Sequence, residues 1–471
     1  MRTSPYKPEQ TLRVGPPGSI DCDVTGLTGR AIQTAIDALA LQGGGTVEVA
    51  PGTYILHDAV RLRSNIRLIG DRKGTILKRG PLVISALKLD ADVGQDEISP
   101  LDPAAFKTGM GVALFSPQTG WVYTSLPYTI TRIDNGVLYL HHYLTQDVRQ
   151  ECDGVVVNYF PLILAENADH CVIDGFTLDG TVPPPARPVP EGPAAAVARG
   201  LLDPASWAMQ EPETKGIAGP RTALVYFFRS RHGVMRRLLA KNSLGDGLCF
   251  GKTSLGMTVE DCETVDNHFY GIHPGSHSAY CAVRRCHIHR NGCDGLYICW
   301  GIHHSTFEDN DIHHNGWRLL RSGLCIGHKD TDNLILRNRI YENKKFGLCF
   351  RTKTEGNGAH RNVVRENLIE NNGSRPDELA DLKKRLQPWE GIGCGIHVGG
   401  VTKDLVFENN IIRETRTGDA RTQRHALYLA KDVSNVKALG NTVEGHLDEP
   451  FVDVSGRPQQ EIDLCAAERT Q

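Results

Sequence analysis

From Val234 onward, apolar and polar residues alternate in short runs, and the runs recur. The segments MRRLLAKN, VEDCETVDN, VRRCHIHRN, FEDNDIHHN, LRNRIYEN, VRENLIENN, FENNIIRE and ALGNTVEG align on one position. It is held by Leu238, Cys262, Cys286, Asn310, Asn338, Asn367, Asn410 and Asn441, at first 24 residues apart and later 28 to 43. Five residues on, a second column holds Asn267, Asn291, Asn315, Asn343 and Asn372. A third holds Gly247, Gly271, Gly295, Gly323 and Gly347. Val259, Val283, Phe307, Val364 and Phe407 share an apolar offset. Period-two alternation predicts short strands. A fixed repeat of this length predicts stacked coils that share one core. Asn suits the turns, because its amide satisfies backbone groups and it tolerates unusual dihedrals.

The N-terminal segment GRAIQTAIDALALQGGGTVEVAPGTYIL has a different period. Ile32, Ala35, Ile36 and Leu39 fall on one helix face, Thr28 can N-cap it and Gly43 can end it. TVEVAPGTYIL then supplies the first strands. Such a helix covers strand edges that an open solenoid end would expose. Columns and cap together resemble the right-handed parallel β-helix of the pectate-lyase-like superfamily, over roughly residues 25–90 and 160–455. The resemblance implies an all-β fold, a right-handed parallel β-helix solenoid with an N-terminal capping helix. It does not imply one activity, since such folds host many.

The expected organisation is an N-terminal extension (1–24), the capping helix and first coils (25–90), and a small β insertion (91–160) with an Asn135-Gly136 hairpin turn. The main coils follow (161–455). A Pro-rich insertion at 181–221 interrupts them, either as a mobile surface loop or as a wall of the binding cleft or a subunit contact. A second insertion, at 373–393, should hold a helical turn or two. The tail, 456–471, should be irregular.

Lys+Arg 52 against Asp+Glu 55 leaves a net charge of −3, so no basic field argues for nucleic acid. No apolar run approaches the ~18 residues of a membrane span, and the N-terminus lacks the apolar core of a secretory signal. The 13 cysteines are scattered without a compact disulfide framework. A reducing cytoplasm is the default expectation.

Candidate chemistry lies on the outward positions of the Gly-led strands, which stack ~4.8 Å apart. Just before the Gly stand Asp246, Tyr270, Asp294, Ser322 and Phe346. Two positions after it stand Cys249, His273, Tyr297, Cys325, Cys349 and His397. Further on stand Lys252, His277, Trp300, His328, Lys329, Arg351 and Lys353. Folding alone does not need so many reactive side chains on one face. We take Asp294, His328, Lys329, Arg351, Lys353 and His273 as candidate catalytic residues. Asp246, Tyr270, His277, Tyr297, Trp300 and His397 are the candidate substrate-binding residues. Asp294 and Lys353 are expected to face solvent.

β-Elimination on a uronate needs a base for the C5 proton and a cation on the carboxylate. Lys, Arg, His or Tyr can be the base, and Arg or a bound Ca²⁺ can hold the carboxylate. Alternatively, Asp246 and Asp294, two coils and ~9.6 Å apart by strand spacing, approach the ~6.5–9.5 Å of an inverting glycosidase pair. Each also fits an ordinary Asp-Gly turn. The strand motifs loosely resemble polygalacturonase-type hydrolases. Arg351-Thr352-Lys353 matches their Arg-x-Lys. Asp294 stands where their Asp pair would be, but Cys293 precedes it, and His328 lies in Gly-His-Lys rather than Gly-His-Gly.

His287, His289 and His313 lie on another strand group, with His303, His304 and His314 nearby. No Cys-x-x-Cys or His-Glu-x-x-His spacing accompanies them, so they read as stacked surface histidines and no metal site is assigned. The sequence thus points to a carbohydrate-active enzyme on an oligo- or polysaccharide, with β-elimination of an acidic glycan slightly preferred. The alternatives are an inverting glycoside hydrolase and a non-catalytic glycan-binding β-helix of the phage-tail type. Monomer and homo-oligomer are equally open.

Overall fold

The computed structural model describes residues 10–116, 127–203, 222–375, 378 and 393–466. The chain falls into two compact units, Met1–Tyr226 with Leu238–Asp246, and Phe227–Arg237 with Gly247–Gln471.

In the first unit the helix Gly29–Ala40 forms as its period predicts. Thr28 Oγ1 accepts the Ala31 N–H at 3.3 Å, and Ile32, Ala35, Ile36 and Leu39 are wholly buried. Parallel coils begin beside it. Gly45–Val49 pairs with Ile66–Ile69, which pairs with Val172–Asp174. Gly52–Leu56 pairs with Thr75–Arg79, and Thr177–Asp179 follows. The segment expected to be a mere extension supplies a strand of its own, Thr11–Gly15, parallel to Gly45–Val49. Strands between Ile84 and Val157 form a six-stranded sheet with antiparallel pairings. Asn135 and Gly136 turn one of its hairpins with φ of 48° and 81°, as a type I′ turn requires.

The Pro-rich stretch contains a helix, Pro193–Leu202, which the sequence reading missed. Pro193 occupies its first turn, where the missing N–H costs nothing, and Ala194, Val197, Ala198 and Leu201 are buried. Residues 204–221 lie outside the described residues, as does most of the insertion expected to hold a helical turn (376–377 and 379–392).

The second unit is built from three stacks of parallel strands. The first runs from Val234–Arg236 through Thr258–Glu260, Ala282–Arg284, Thr306–Glu308, Leu334–Leu336 and Val363–Arg365 to Lys403–Glu408. The second comprises Glu263–Val265, His287–His289, Asp311–His313, Arg339–Tyr341, Leu368–Glu370 and Ile411–Arg413. The third begins with the Leu248–Phe250 part of Asp246–Gly251. It continues through Ile272–Pro274, Leu296–Tyr297, Leu324–Ile326, Phe346–Phe350, Cys394–Val398, His425–Leu429 and Phe451–Asp453. Val259, Val283, Phe307, Val364 and Phe407 share one register inside the first stack, each at most 1% exposed. The tail is not irregular: Glu461–Ala466 adds a strand to Ser434–Glu444.

Both Asn columns are hydrogen-bonded ladders. Asn310 Oδ1 accepts the Cys286 N–H, and the pattern repeats through Asn338, Asn367, Asn410 and Asn441. The second ladder runs Asn291, Asn315, Asn343, Asn372 and closes on Gln423. The Gly column abuts it. A Cβ on Gly295 would lie 2.6 Å from Asn315 Nδ2, so no larger residue fits there. Among the described residues no helix is long and apolar enough to cross a membrane.

Candidate functional site

The outward side of the third stack carries one in-register column: Cys249, His273, Tyr297, Cys325, Cys349, His397 and Tyr428. The inward neighbours, among them Leu248, Ile272, Leu296, Leu324, Leu348 and Ile396, are wholly buried and fix which way the column points. Residues ahead of each Gly extend this face. Tyr270 stacks on Tyr297 with ring centres 3.9 Å apart, and His273 meets both edge-on at 5.1 Å. Farther along, His397 lies between Phe346, at 4.6 Å, and Tyr428, at 5.4 Å. Its Nδ1 is buried and without a hydrogen-bond partner.

Arg351 lies beneath this surface. Its guanidinium donates to Ile298 O at 2.9 Å and Cys325 Sγ at 3.2 Å, approaches Asp330 at 3.6 Å, and lies 4.4 Å from the centre of the Tyr297 ring. It positions Tyr297 and is not poised at an open surface. Burial pushes the Tyr297 phenol well above its ordinary pKa, a shift that the Arg351 charge only partly offsets. Tyr297 is therefore protonated at neutral pH and can donate a proton.

Asp294 is 1% exposed, against the solvent-facing position expected for it. Its Oδ1 accepts the Ser322 N–H at 2.8 Å. Burial raises its pKa, opposed by the Arg321 charge. Asp246 is equally buried. Lys345 is half-buried over the Phe346 ring, and burial lowers its pKa. The Cys349 thiol is held well below the ordinary range by Cys325 and His397, against the effect of burial.

A rim of turns flanks the column. His328 Nδ1 lies 3.4 Å from Cys299 Sγ, and the Lys353 charge acts on the same thiol. Lys353 is half-buried rather than fully solvent-facing, while Lys329 and His277 are exposed. Trp300 is 60% exposed, its ring 6.0 Å from that of His328. The turns stack through backbone bonds from His277 to Trp300 O and from Gly301 to His328 O. Tyr270, His273, Tyr297, His328, Arg351 and Lys353 are thus neighbours. Sequence reasoning missed Arg321 and Lys345, although they share an offset two places before the Gly.

The first unit holds a separate cavity of about 690 Å³, lined by Arg30, Gln33, Asp58, Arg61, Lys107 and His141. Its Asp58 is committed to Thr129 Oγ1 and the Ala59 N–H. No in-register column of reactive groups lines it, so we place the candidate chemistry on the third stack.

Residues 224–443 match the family model for a right-handed β-helix region. No curated protein matches the sequence significantly. The A-module of mannuronan C-5 epimerase AlgE4 from Azotobacter vinelandii superposes with a TM-score of 0.54 at 15% identity, covering 93% of this chain and 90% of that one. The DFA-IIIase of Arthrobacter chlorophenolicus A6 gives 0.53 at 11%, covering 96% and 93%. The exopolygalacturonase of Thermotoga maritima gives 0.50 at 16%, covering 98% and 93%. Likeness at such identity establishes the fold, and with the ladders and stacks above it shows that this chain is a right-handed parallel β-helix.

Proposed function

We propose that the chain is a carbohydrate-active enzyme that cleaves an acidic glycan by β-elimination on the outward face of the third stack. The observation that carries this is the makeup of that face. The positions ahead of each Gly carry two carboxylates, Asp246 and Asp294, each 1% exposed, and Asp294 is set among Arg321, Lys345 and the Arg351-backed Tyr297. An inverting hydrolase needs a carboxylate open to water as its base, and both Asp246 and Asp294 are covered. Asp330 cannot serve, because the N–H groups of Gly301, Ile302 and Gly327 already bind it. Asp294 is covered, and burial raises its pKa against the Arg321 charge.

In this reading Arg321, beside Asp294, holds the uronate carboxylate and stabilises the enolate-like charge. Lys345, its ammonium disfavoured by burial, takes the C5 proton. The C5–H electrons form the C4=C5 bond, the C4–O bond breaks, and Tyr297 protonates the leaving oxygen. Trp300 offers an exposed ring for a neighbouring sugar. The neighbours' names, epimerase and exopolygalacturonase, are consistent with a glycan substrate and leave the reaction type open.

The test is incubation with polygalacturonate, alginate, hyaluronan and a neutral xylan, with and without Ca²⁺. Unsaturated uronate products that vanish in Lys345→Gln support the proposal. New reducing ends without unsaturation would mean hydrolysis, and binding without turnover would mean a glycan-binding module.

A further inference from the structure

The histidines of the second stack are not simply layered rings. His287 Nε2 and His313 Nε2 are 2.7 Å apart. His289 stacks on His287 at 4.0 Å and on His313 at 5.0 Å, so one nitrogen from each ring lies within 4.8 Å of the other two. Register explains the convergence: His289 and His313 are direct partners, while His287 shares a strand with His289 and projects to the same side.

The surrounding hydrogen bonds fix where the lone pairs point. Glu342 Oε2 lies 2.9 Å from His314 Nε2 and can only accept, so that nitrogen carries the proton. In the His314 tautomer protonated on Nε2 alone, Nδ1 presents a lone pair to His313 Nδ1, 2.6 Å away, which then donates. His313 Nε2 is left with its lone pair aimed at His287 Nε2. On the other side Glu263 Oε1 takes the N–H of His289 Nε2 at 3.2 Å, leaving the lone pair of His289 on Nδ1. Carboxylates that orient imidazoles in this way are the usual outer support of histidine metal sites. Asp311, the register partner of His287, has a buried Oδ1 with no hydrogen-bond partner.

We propose that His287, His289 and His313 form a binding site for a divalent transition-metal ion of the zinc class. Three imidazole nitrogens suit a borderline ion and not Ca²⁺ or Mg²⁺, which take oxygen ligands. His287 moves its proton to Nδ1, and the two Nε2 atoms open from 2.7 Å to roughly 3.3 Å, the edge of a tetrahedron with ~2.0–2.1 Å bonds. Asp311 or a water completes the shell. These strands carry none of the candidate glycan residues, so the site stands independently of the proposed reaction.

The test uses the full chain without a histidine tag, stripped with a chelator, exposed to Zn²⁺ and passed through gel filtration. We expect one retained Zn²⁺ per chain and a melting temperature raised by Zn²⁺ but not by Ca²⁺. His313→Gln should lose the ion. Glu342→Gln, a change at a partly exposed carboxylate that should leave folding intact, should weaken binding roughly 10- to 100-fold by freeing the His314 relay. His303→Gln should retain full binding. No retained Zn²⁺, or retention unchanged in both His313→Gln and Glu342→Gln, overturns the proposal.

Discussion

Replacing Asn310 with Leu is the sharpest test of coil-on-coil registry. Asn310 is 1% exposed. Its Oδ1 accepts the Cys286 N–H at 3.0 Å, and its Nδ2 donates to Val283 O at 3.0 Å and Asn338 Oδ1 at 2.9 Å. Leu is of similar size and makes none of these bonds. The Cys286 N–H and the Val283 carbonyl lose a buried partner at about 1–3 kcal/mol each. Asn338 Oδ1 keeps the Asn310 backbone N–H and adds little. The extra apolar burial of Leu returns about 1 kcal/mol, leaving a net loss of about 3 kcal/mol by these figures. Thermal and urea unfolding followed by circular dichroism should show a clearly lower midpoint. Asn310→Leu/Asn338→Leu should cost less than the sum of the single changes, since the two amides share a bond. An unchanged midpoint in Asn310→Leu would refute the ladder as a source of stability.

Gly295→Ala should lower the melting temperature, by about 1–3 kcal/mol of stability, because the new methyl meets Asn315 Nδ2 at 2.6 Å and Gly323 O at 2.9 Å; wild-type melting would contradict the placing of the Gly column against the Asn ladder. Trp300→Ala should leave stability within about 0.5 kcal/mol and raise KM for the glycan roughly 2- to 10-fold with little change in kcat, as steady-state kinetics will read. His446 bears on acid stability. Burial pushes its pKa from 6.5 down to about 4, against the hydrogen bond to Ile412 O. The unfolded chain therefore takes up this proton first. The stability involved is complete above the ordinary value and is lost as the pH falls towards about 4, to the order of 3 kcal/mol at most. Urea titrations across that range should show the loss in the wild type and a flatter profile in His446→Gln.

The coils were legible because an in-register solenoid writes its contacts as columns. Asn310, Asn338, Asn367 and Asn410 recur because each amide must reach the next. Gly recurs because an adjacent amide leaves no room for a Cβ. Where the same job is done by different residues, the column disappears. Gln423 ends the second ladder with a longer side chain. A third ladder, Ser305 to Asn333 to Asn362, begins with a hydroxyl residue, and the sequence reading overlooked it. The helix Pro193–Leu202 was hidden by its Pro-rich surroundings, although Ala194, Val197 and Leu201 keep helical spacing. Strand Glu461–Ala466 pairs with a distant segment and has no repeat to announce it.

The candidate face was legible as an offset and not as an environment. Alternation places His273, Tyr297 and His397 on one side, and the structure agrees. Alternation cannot show that Asp294 is covered, or that the Arg351 guanidinium turns beneath Tyr297 to the Ile298 carbonyl. Those depend on side-chain packing across three coils. Likewise, the spacing of His287, His289 and His313 gives no motif, whereas the relay from Glu342 through His314 exists only in three dimensions.

Proton removal from C5 of a uronate is best followed by proton NMR of a defined acidic oligosaccharide, with wild type and Lys345→Gln compared at equal thermal stability. A vinylic H4 signal should grow with the wild type as the C5 proton signal fades, and should be absent with the variant. Growth at the wild-type rate with Lys345→Gln, or an unaltered C5 signal with the wild type on every uronate glycan offered, would contradict the account.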